Sequence, residues 1–270
     1  MIINHNLNAM NSHRNLVFNN IQSGKSSEKL SSGYRINRAA DDAAGLSISE
    51  KMRSQIKSLN QGMRNAQDGI SMVQAAEGAM NEVSDMLTRM KELAVQSSNG
   101  TYNDTDRAAM DAEYQNLMTA ITDISDNFQF NGVTLLDGSG GTVTIQTGPT
   151  TNDAVAIDFS GIDIDAATLA VNGVSTAADA VAELALVDTA IETINTHRSA
   201  LGAAQNQLEH VYNNVGVNAE NLQAAESRIR DTDMAAEMMK YTKFNILQQA
   251  STAMLAQANQ APQGVLQLLR

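Results

Sequence analysis

Cysteine and tryptophan are absent from the 270 residues, and aromatic residues make up only 4% of the chain. The absence of cysteine excludes disulfides, thiolate metal sites and a cysteine nucleophile. Proline occurs only twice, which favours long uninterrupted helices, because an internal proline breaks or kinks a helix. Aliphatic side chains and methionine must therefore fill the interior, which suits closely packed helices.

Long apolar runs are also missing, and with them the usual signals for membranes. No stretch of 18 apolar residues occurs, so we expect no membrane span. The start of the chain, MIINHNLNAMNSHRN, has no basic region followed by a continuous apolar stretch, so we expect no cleavable signal peptide. Cytoplasmic residence and export without a cleaved leader both stay open.

The net charge of -12 argues against nucleic acid as a partner, because it repels phosphates. Residues 101–190 contain 14 acidic residues and one basic residue, Arg107. We interpret this acidic middle as a solvent-facing outer segment and the nearly neutral ends as the buried part. The alternative is that the charge simply follows loops.

Two long stripes of apolar residues recur at steps of three and four, the spacing that puts side chains on one helix face. One stripe runs from Met52 to Ala94 and the other from Val181 to Ile229. They predict helices over about 43–98 and about 175–230.

The ends of the first long helix carry recognisable signals. Asp41 or Asp42 is the candidate N-cap, and Asn99-Gly100 is the candidate left-handed stop. A third helix is predicted from about Asp104 to Phe128, antiparallel to the first because the link is short.

The period changes to two after Phe128. Asn131-Gly132 predicts a tight hairpin turn, and residues 138–175 predict two or three short strands with loops. The predicted fold is mainly α: a long antiparallel helical rod (a coiled-coil bundle), a small β-hairpin region in the middle of the chain, and paired terminal helices.

Both ends are predicted to be helical, over about 2–30 and 234–260, with a bend at Ala261-Pro262-Gln263-Gly264. Apolar residues spread around much of the final helix, so it needs several neighbours. We expect disorder in the free chain or burial against other copies; the alternative is an inner helix of a single bundle. The candidate terminal assembly residues are Ile3, Leu7, Met10, Val17, Ile21, Met238, Tyr241, Phe244, Leu247, Met254, Leu255, Leu266 and Leu269.

Catalytic, metal and cofactor signatures are missing. The four histidines, His5, His13, His197 and His210, form no metal-binding pair, and no H-E-x-x-H occurs. The glycine-rich stretch 138–141 lacks the lysine of a phosphate loop. We therefore expect that the chain binds no cofactor and is not an enzyme. A membrane-active secreted protein is a weaker alternative, since it would need a basic amphipathic face or an apolar hairpin of membrane length.

Three stretches resemble bacterial flagellin: LSSGYRINRAADDAAGLSISEKMRSQI at 30–56, ELAVQSSNGTYNDTDRAAMDAEYQNL with FNGVTLLDG within 92–138, and RIRDTDMAAEMMKYTKFNILQQASTAMLAQANQAPQGVLQLLR at 228–270. With MIINHNL at the start, the resemblance covers about 1–138 and 175–270. It implies a subunit of the helical flagellar filament, in a short form without large outer domains. The related hook–filament junction protein shares terminal features, but the matches at 30–56 and 128–138 favour the filament subunit.

The resemblance also implies a domain plan and a set of partners. Residues 1–34 and 234–270 would form the two halves of an inner coiled-coil domain, residues 35–137 and 176–233 the halves of a rod domain, and residues 138–175 a short variable segment. The implied partners are further copies of the chain, an export chaperone and the export apparatus, and the filament cap and hook–filament junction proteins. The implied location is the extracellular filament.

A further implied partner is the Toll-like flagellin receptor of animals. The residues matching its recognition motif are Arg89, Leu93 and Glu113. Arginine can form paired hydrogen bonds and leucine can fill a pocket, a common combination at binding hot spots. Arg89 and Leu93 also lie where subunits are expected to stack.

Overall fold

The computed structural model describes the backbone of residues 6–268 and the side chains of residues 6–260. The mainly α fold class is confirmed, with five helices and four short strands in this part of the chain. In chain order the elements are α1 (Leu7–Ser32), α2 (Ala43–Ser98), α3 (Asp104–Asn127), β1 (Gln129–Phe130), β2 (Val133–Thr134), β3 (Thr142–Gln146), β4 (Ala154–Asp158), α4 (Ala177–Arg230) and α5 (Met234–Leu268).

The two ends of α2 are held by side chains. At the start, Asp42 Oδ1 accepts the Gly45 backbone N–H at 2.9 Å, as expected for an N-cap. At the other end the predicted left-handed stop is wrong, because neither Asn99 nor Gly100 has a positive φ. The Arg107 guanidinium instead donates to the backbone oxygens of Ser97 and Asn99, each at 3.0 Å. The arginine satisfies carbonyls that a left-handed turn would otherwise have paired.

The hairpin prediction is confirmed. Asn131 (φ 53°) and Gly132 (φ 82°) form the turn between β1 and β2, and positive φ at both central residues is what a tight hairpin prefers. The segment that follows forms a second antiparallel pair, β3 with β4, in which Thr142 is opposite Asp158 and Gln146 is opposite Ala154.

The chain divides into two compact units, residues 55–220 and residues 1–54 with 221–270. In the first unit α2 and α4 run antiparallel, since Glu77 pairs with Arg198 (3.6 Å) and Lys91 pairs with Asp188. Their facing apolar side chains form one continuous core. Val181 departs from the predicted stripe, since its side chain is 59% exposed.

The acidic middle of the chain contributes to this core. Val155 and Ile157 on β4, and Phe159 and Ile164 after it, are buried with the side chains of α2. The interpretation of the middle as the outer segment and the ends as the buried part is therefore wrong for a single chain. The acidic side chains follow the exposed positions, while alternate apolar residues face inward.

In the second unit α1 and α5 pack antiparallel. The predicted bend at 261–264 is wrong, because α5 continues to Leu268 through Pro262. A proline inside a helix leaves the carbonyl four residues earlier without its N–H partner, here that of Ala258. The Asn6 side-chain amide donates to this oxygen at 2.7 Å. Asn6 Oδ1 also accepts the Ala9 backbone N–H at 3.1 Å. One side chain therefore caps α1 and supplies the hydrogen bond that Pro262 cannot donate within α5.

Candidate functional site

The contact between α1 and α5 is built mainly from small and polar side chains. On each helix the buried and half-buried positions recur at steps of three and four, the pattern of a coiled-coil seam. We call this set the polar seam; it contains Ala9, Ser12, Leu16, Asn19, Ser23, Ser26 and Leu30 on α1, and Glu237, Tyr241, Phe244, Gln248, Ser251, Leu255 and Ala258 on α5.

Hydrogen bonds cross the polar seam. Asn19 Nδ2 donates to Ser251 Oγ at 3.2 Å, and Ser23 Oγ donates to the side-chain oxygen of Asn245 at 3.3 Å. Such pairs fix the register of two helices, because a shift would leave buried polar groups without partners. They contribute less to the free energy of folding than packed leucines would, since burying polar groups offsets much of the gain.

Glu237 is the charged member of the polar seam and is only 5% exposed. Burial alone would raise the pKa of its carboxyl group. Hydrogen bonds from Lys240 and from the Ser26 hydroxyl, with the positive charge of Lys240, outweigh burial and hold the pKa below the ordinary glutamate value. The carboxylate is therefore kept ionised, with Lys240 Nζ at 2.9 Å.

Most of the large apolar side chains of both helices point away from this seam. We call them the terminal apolar surface. Exposure of the side chains reaches 71% at Leu7 and 70% at Met239. The set consists of Leu7, Met10, Val17, Phe18 and Ile21 on α1, and Met234, Met238, Met239, Ile246, Leu247 and Met254 on α5.

The second unit is thus inverted relative to an ordinary core. Among residues 6–54 and 221–260, Ile36 is the one apolar side chain that is fully buried, whereas Asn19, Ser23 and Glu237 are buried polar residues. Exposed apolar surface of this kind marks a site of protein–protein contact. The alternative that α5 is an inner helix of a single bundle is excluded by the exposure of Met238, Ile246 and its other outward residues.

The predicted terminal residues fall into three groups. Seven belong to the terminal apolar surface: Leu7, Met10, Val17, Ile21, Met238, Leu247 and Met254. Tyr241, Phe244 and Leu255 are half buried in the polar seam. Ile3 and Leu269 lie outside the described residues, as does the side chain of Leu266.

Phe18, Met234, Met239 and Ile246 are exposed members of the terminal apolar surface that are not among the candidate assembly residues. Met234 and Ile246 contribute to the predicted spread of apolar residues around the final helix. Phe18 lies beside Val17 on α1 and off the stripe that the prediction followed.

The predicted receptor residues lie on α2 and α3. Arg89 Nε is 2.9 Å from Glu113 Oε1, and Arg89 Nη1 is 2.9 Å from Glu92 Oε2. The hydrogen bonds that Arg89 donates to Glu113 and to Glu92, in that order of size, raise the pKa of Arg89. Leu93 is separated from this exposed cluster, since its side chain is only 1% exposed and packs in the core.

Among the described residues no group of three or more histidine, aspartate or glutamate side chains is arranged to hold a metal ion. The helices, over the same residues, contain no segment that is both long and apolar enough to cross a membrane. The terminal apolar surface is therefore the strongest candidate for function. Long paired helices whose apolar faces are left uncovered define a class of structural proteins that associate with copies of themselves.

Comparison with known proteins specifies the class. The model of the bacterial flagellin N-terminal helical region matches residues 3–140, and that of the C-terminal helical region matches residues 184–269. The flagellin of Halalkalibacterium halodurans is 54% identical over 272 residues, with both chains fully covered. The flagellar filament 33 kDa core protein of Treponema phagedenis is 48% identical over 289 residues, again with both chains fully covered.

A solved structure agrees with the sequence comparisons. The crystal structure of Bacillus cereus flagellin matches with a TM-score of 0.52 and 34% identity, covering 60% of this chain and 94% of that one. The chain belongs to the bacterial flagellin family. It is a structural subunit of the homopolymeric flagellar filament and not an enzyme. Its length fits a short form without large outer domains.

Proposed function

We propose that the chain polymerises by burying its terminal apolar surface against other copies of itself. The observation that carries the proposal is the inversion of the terminal unit, in which polar side chains are buried and large apolar ones are exposed. Association would remove these apolar side chains from water, at about 25 cal/mol for each Å² buried. A contact repeated without closure would extend into a filament of open length.

The proposal assigns different roles to the two residue sets. The polar seam sets the register of α1 against α5 through pairs such as Asn19 with Ser251. The terminal apolar surface supplies the free energy of association, offset by the ordering of both helices. The domain plan inferred from the resemblance, with 1–34 and 234–270 as an inner coiled coil, stays a proposal of the same kind.

A charge placed on the terminal apolar surface tests this function. Ile246 is 60% exposed, so Ile246→Glu should leave the free chain folded while a buried, unpaired carboxylate blocks association. We expect no filaments by electron microscopy under conditions in which the parent chain polymerises, with unchanged helix content by circular dichroism.

The matched control is Gln257→Glu, which puts the same charge on an exposed polar position of α5. It should polymerise within about twofold of the parent rate, as exposed substitutions away from contacts are usually mild. Filaments of Ile246→Glu as abundant as those of the control would contradict the assignment of the surface.

We also propose that the free chain is recognised by the animal Toll-like flagellin receptor through Arg89 and Glu113. Both side chains are about half exposed and already paired, so they present a fixed cluster of charge. Leu93 would support the cluster from within the core rather than contact the receptor.

Charge reversal at Arg89 tests this second role. Arg89→Glu should weaken binding to the purified receptor ectodomain by about tenfold or more, in line with the loss of a charged hot spot. Thr88→Glu, at the neighbouring exposed position, is the matched control. Equal binding of Arg89→Glu and the parent chain would remove Arg89 from the site.

The remaining inferred partners are an export chaperone, the export apparatus, and the filament cap and hook–filament junction proteins. We propose the terminal apolar surface for the chaperone, because an exported chain must keep this surface covered before assembly. The proposed location is the extracellular filament. Export without a cleaved leader stays a prediction.

A further inference from the structure

The methionines of this chain occupy two environments. Among residues 6–260, those with exposed side chains all lie on α1 or α5, where they make up almost half of the terminal apolar surface. They are Met10, Met234, Met238, Met239 and Met254, with exposures of 64%, 47%, 50%, 70% and 57%. The remaining methionines of the described part lie on α2 and α3 and are buried or half buried, with Met80 and Met90 fully enclosed.

We propose that these five exposed methionines form an oxidation-sensitive modification site that decides whether the free chain can polymerise. The inference rests on the proposed function, because it requires that the terminal apolar surface is buried in the filament. The modifying reagent is a hydroperoxide, with hydrogen peroxide as the simplest example.

The chemistry is a two-electron oxygen transfer to sulfur. A lone pair of the thioether attacks one peroxide oxygen, the O–O bond breaks, and the departing hydroxide takes up the proton to leave as water. The sulfur is oxidised to the sulfoxide and the peroxide is reduced. The chain contains no cysteine, so no thiol competes for the oxidant.

The product is unsuited to the surface on which it forms. Met238 and Met239 border a shallow groove with Thr242, Lys243 and Ile246. A sulfoxide places a strongly polar oxygen on a side chain that was apolar, and burial of that oxygen without a hydrogen-bond donor opposes association. Oxidation of the free chain therefore weakens the contact that holds the polymer together.

The state of assembly should in turn control the reaction. In a filament the same sulfur atoms are enclosed between subunits, so peroxide no longer reaches them. The site discriminates between chains that are already incorporated, which resist oxidation, and free chains, which are excluded from growth once oxidised. A sulfoxide reductase with a thiol reductant reverses the exclusion.

The test uses the full chain and hydrogen peroxide. Monomer and preformed filament are treated in parallel, sulfoxides are located by peptide mass spectrometry, and elongation from filament seeds is measured after the oxidant is removed. In monomer we expect sulfoxide at the five exposed positions and unmodified Met80 and Met90. Elongation should slow by about tenfold, the factor expected for loss of one strong interface contact. Reductase treatment should restore the rate, and filaments should be protected at the same five positions.

A variant carrying Met10→Leu, Met234→Leu, Met238→Leu, Met239→Leu and Met254→Leu identifies the responsible sulfur atoms. The peroxide-treated variant is compared only with the untreated variant, and its elongation rate should stay within about twofold of the untreated rate. Normal elongation of parent chains that carry all five sulfoxides would overturn the inference but not the proposed function. An equal loss of elongation rate in the peroxide-treated variant would do the same. Failure of the untreated parent to elongate would overturn the proposed function and the inference with it.

Discussion

Single residues decide how closely neighbouring backbones approach in this chain. Gly62 of α2 lies under the loop after β3, where a Cβ atom would be 2.0 Å from the Thr147 backbone oxygen. Only a residue without a side chain allows this approach. Gly78, on the same helix, has no atom within 4 Å of the position that a Cβ would take.

These two glycines give a matched prediction. Gly62→Ala should lower the free energy of unfolding by about 2–3 kcal/mol, because the Thr147 carbonyl must move and carry the strand pair with it. Gly78→Ala should raise the free energy of unfolding by about 0.5–1 kcal/mol through helix propensity alone. Urea unfolding of both variants checks the pair. A stabilising Gly62→Ala would show that the β3–β4 segment does not rest on α2 as described.

At the scale of single residues, roles that depend on near neighbours in the sequence could be predicted better than roles that depend on distant contacts. Asp42 was recognisable as an N-cap because its partner lies three residues away. Arg107 was not recognisable as the cap of α2, since the carbonyls it satisfies are up to ten residues away and reach it only after α3 has folded back. The burial of Leu93 was missed for a related reason: two core-facing residues adjoin on α2, Leu93 and Ala94, and only Ala94 lay on the predicted stripe.

Elements were more predictable, because helical periodicity extends over many residues. The bounds of α2 agree with the prediction, and those of α4 differ from it by about two residues at the start. The stripe Leu7, Met10, Val17 and Ile21 was also correctly identified as one face of α1. Its direction could not be predicted, because periodicity tells which residues share a face and not what that face packs against. On α1 the polar residues pack inside the pair and the apolar stripe points outward.

The continuation of α5 through Pro262 predicts an energetic coupling between the two ends. Asn6→Asp keeps the oxygen that caps α1 but removes the amide that donates to Ala258 O. We expect it to lower the free energy of opening the α1–α5 pair by about 1–2 kcal/mol. In a Pro262→Ala background the helix supplies its own N–H to Ala258, so the same change should cost less than about 0.5 kcal/mol.

Hydrogen exchange of α1 amides measures these opening energies in the four members of the cycle. A cost of Asn6→Asp that is the same in both backgrounds would show that the asparagine acts only as a cap. Asn11→Asp, at an exposed position of the same helix, controls for the added charge.

On the scale of the whole molecule, stability is unevenly distributed. Residues 55–220 contain the continuous apolar core, whereas the described part of the terminal unit has Ile36 as its fully buried apolar side chain. The hydrophobic content of 43% could not reveal this difference between the units, because the ends of the chain are rich in apolar residues too. What separates the units is where those residues point, which depends on the partner helix and on neighbouring copies of the chain.

The difference predicts opposite responses to assembly in the two parts of the chain. In monomer, amides of Leu7–Ser32 and Met234–Leu268 should exchange within seconds to minutes, because a polar seam gives a small opening free energy. Amides of α2 and α4 within the apolar core should be protected at least about a thousandfold more, as expected for a gap of several kcal/mol between local and global opening. Polymerisation should slow exchange in α1 and α5 by a comparable factor while leaving the core nearly unchanged, since the core amides are already protected within one chain. Mass spectrometry of the two states at equal pH and temperature makes the comparison. Terminal helices as strongly protected in monomer as in filament would mean that one copy already satisfies them, and the exposed leucine, phenylalanine and methionine side chains would then need another explanation.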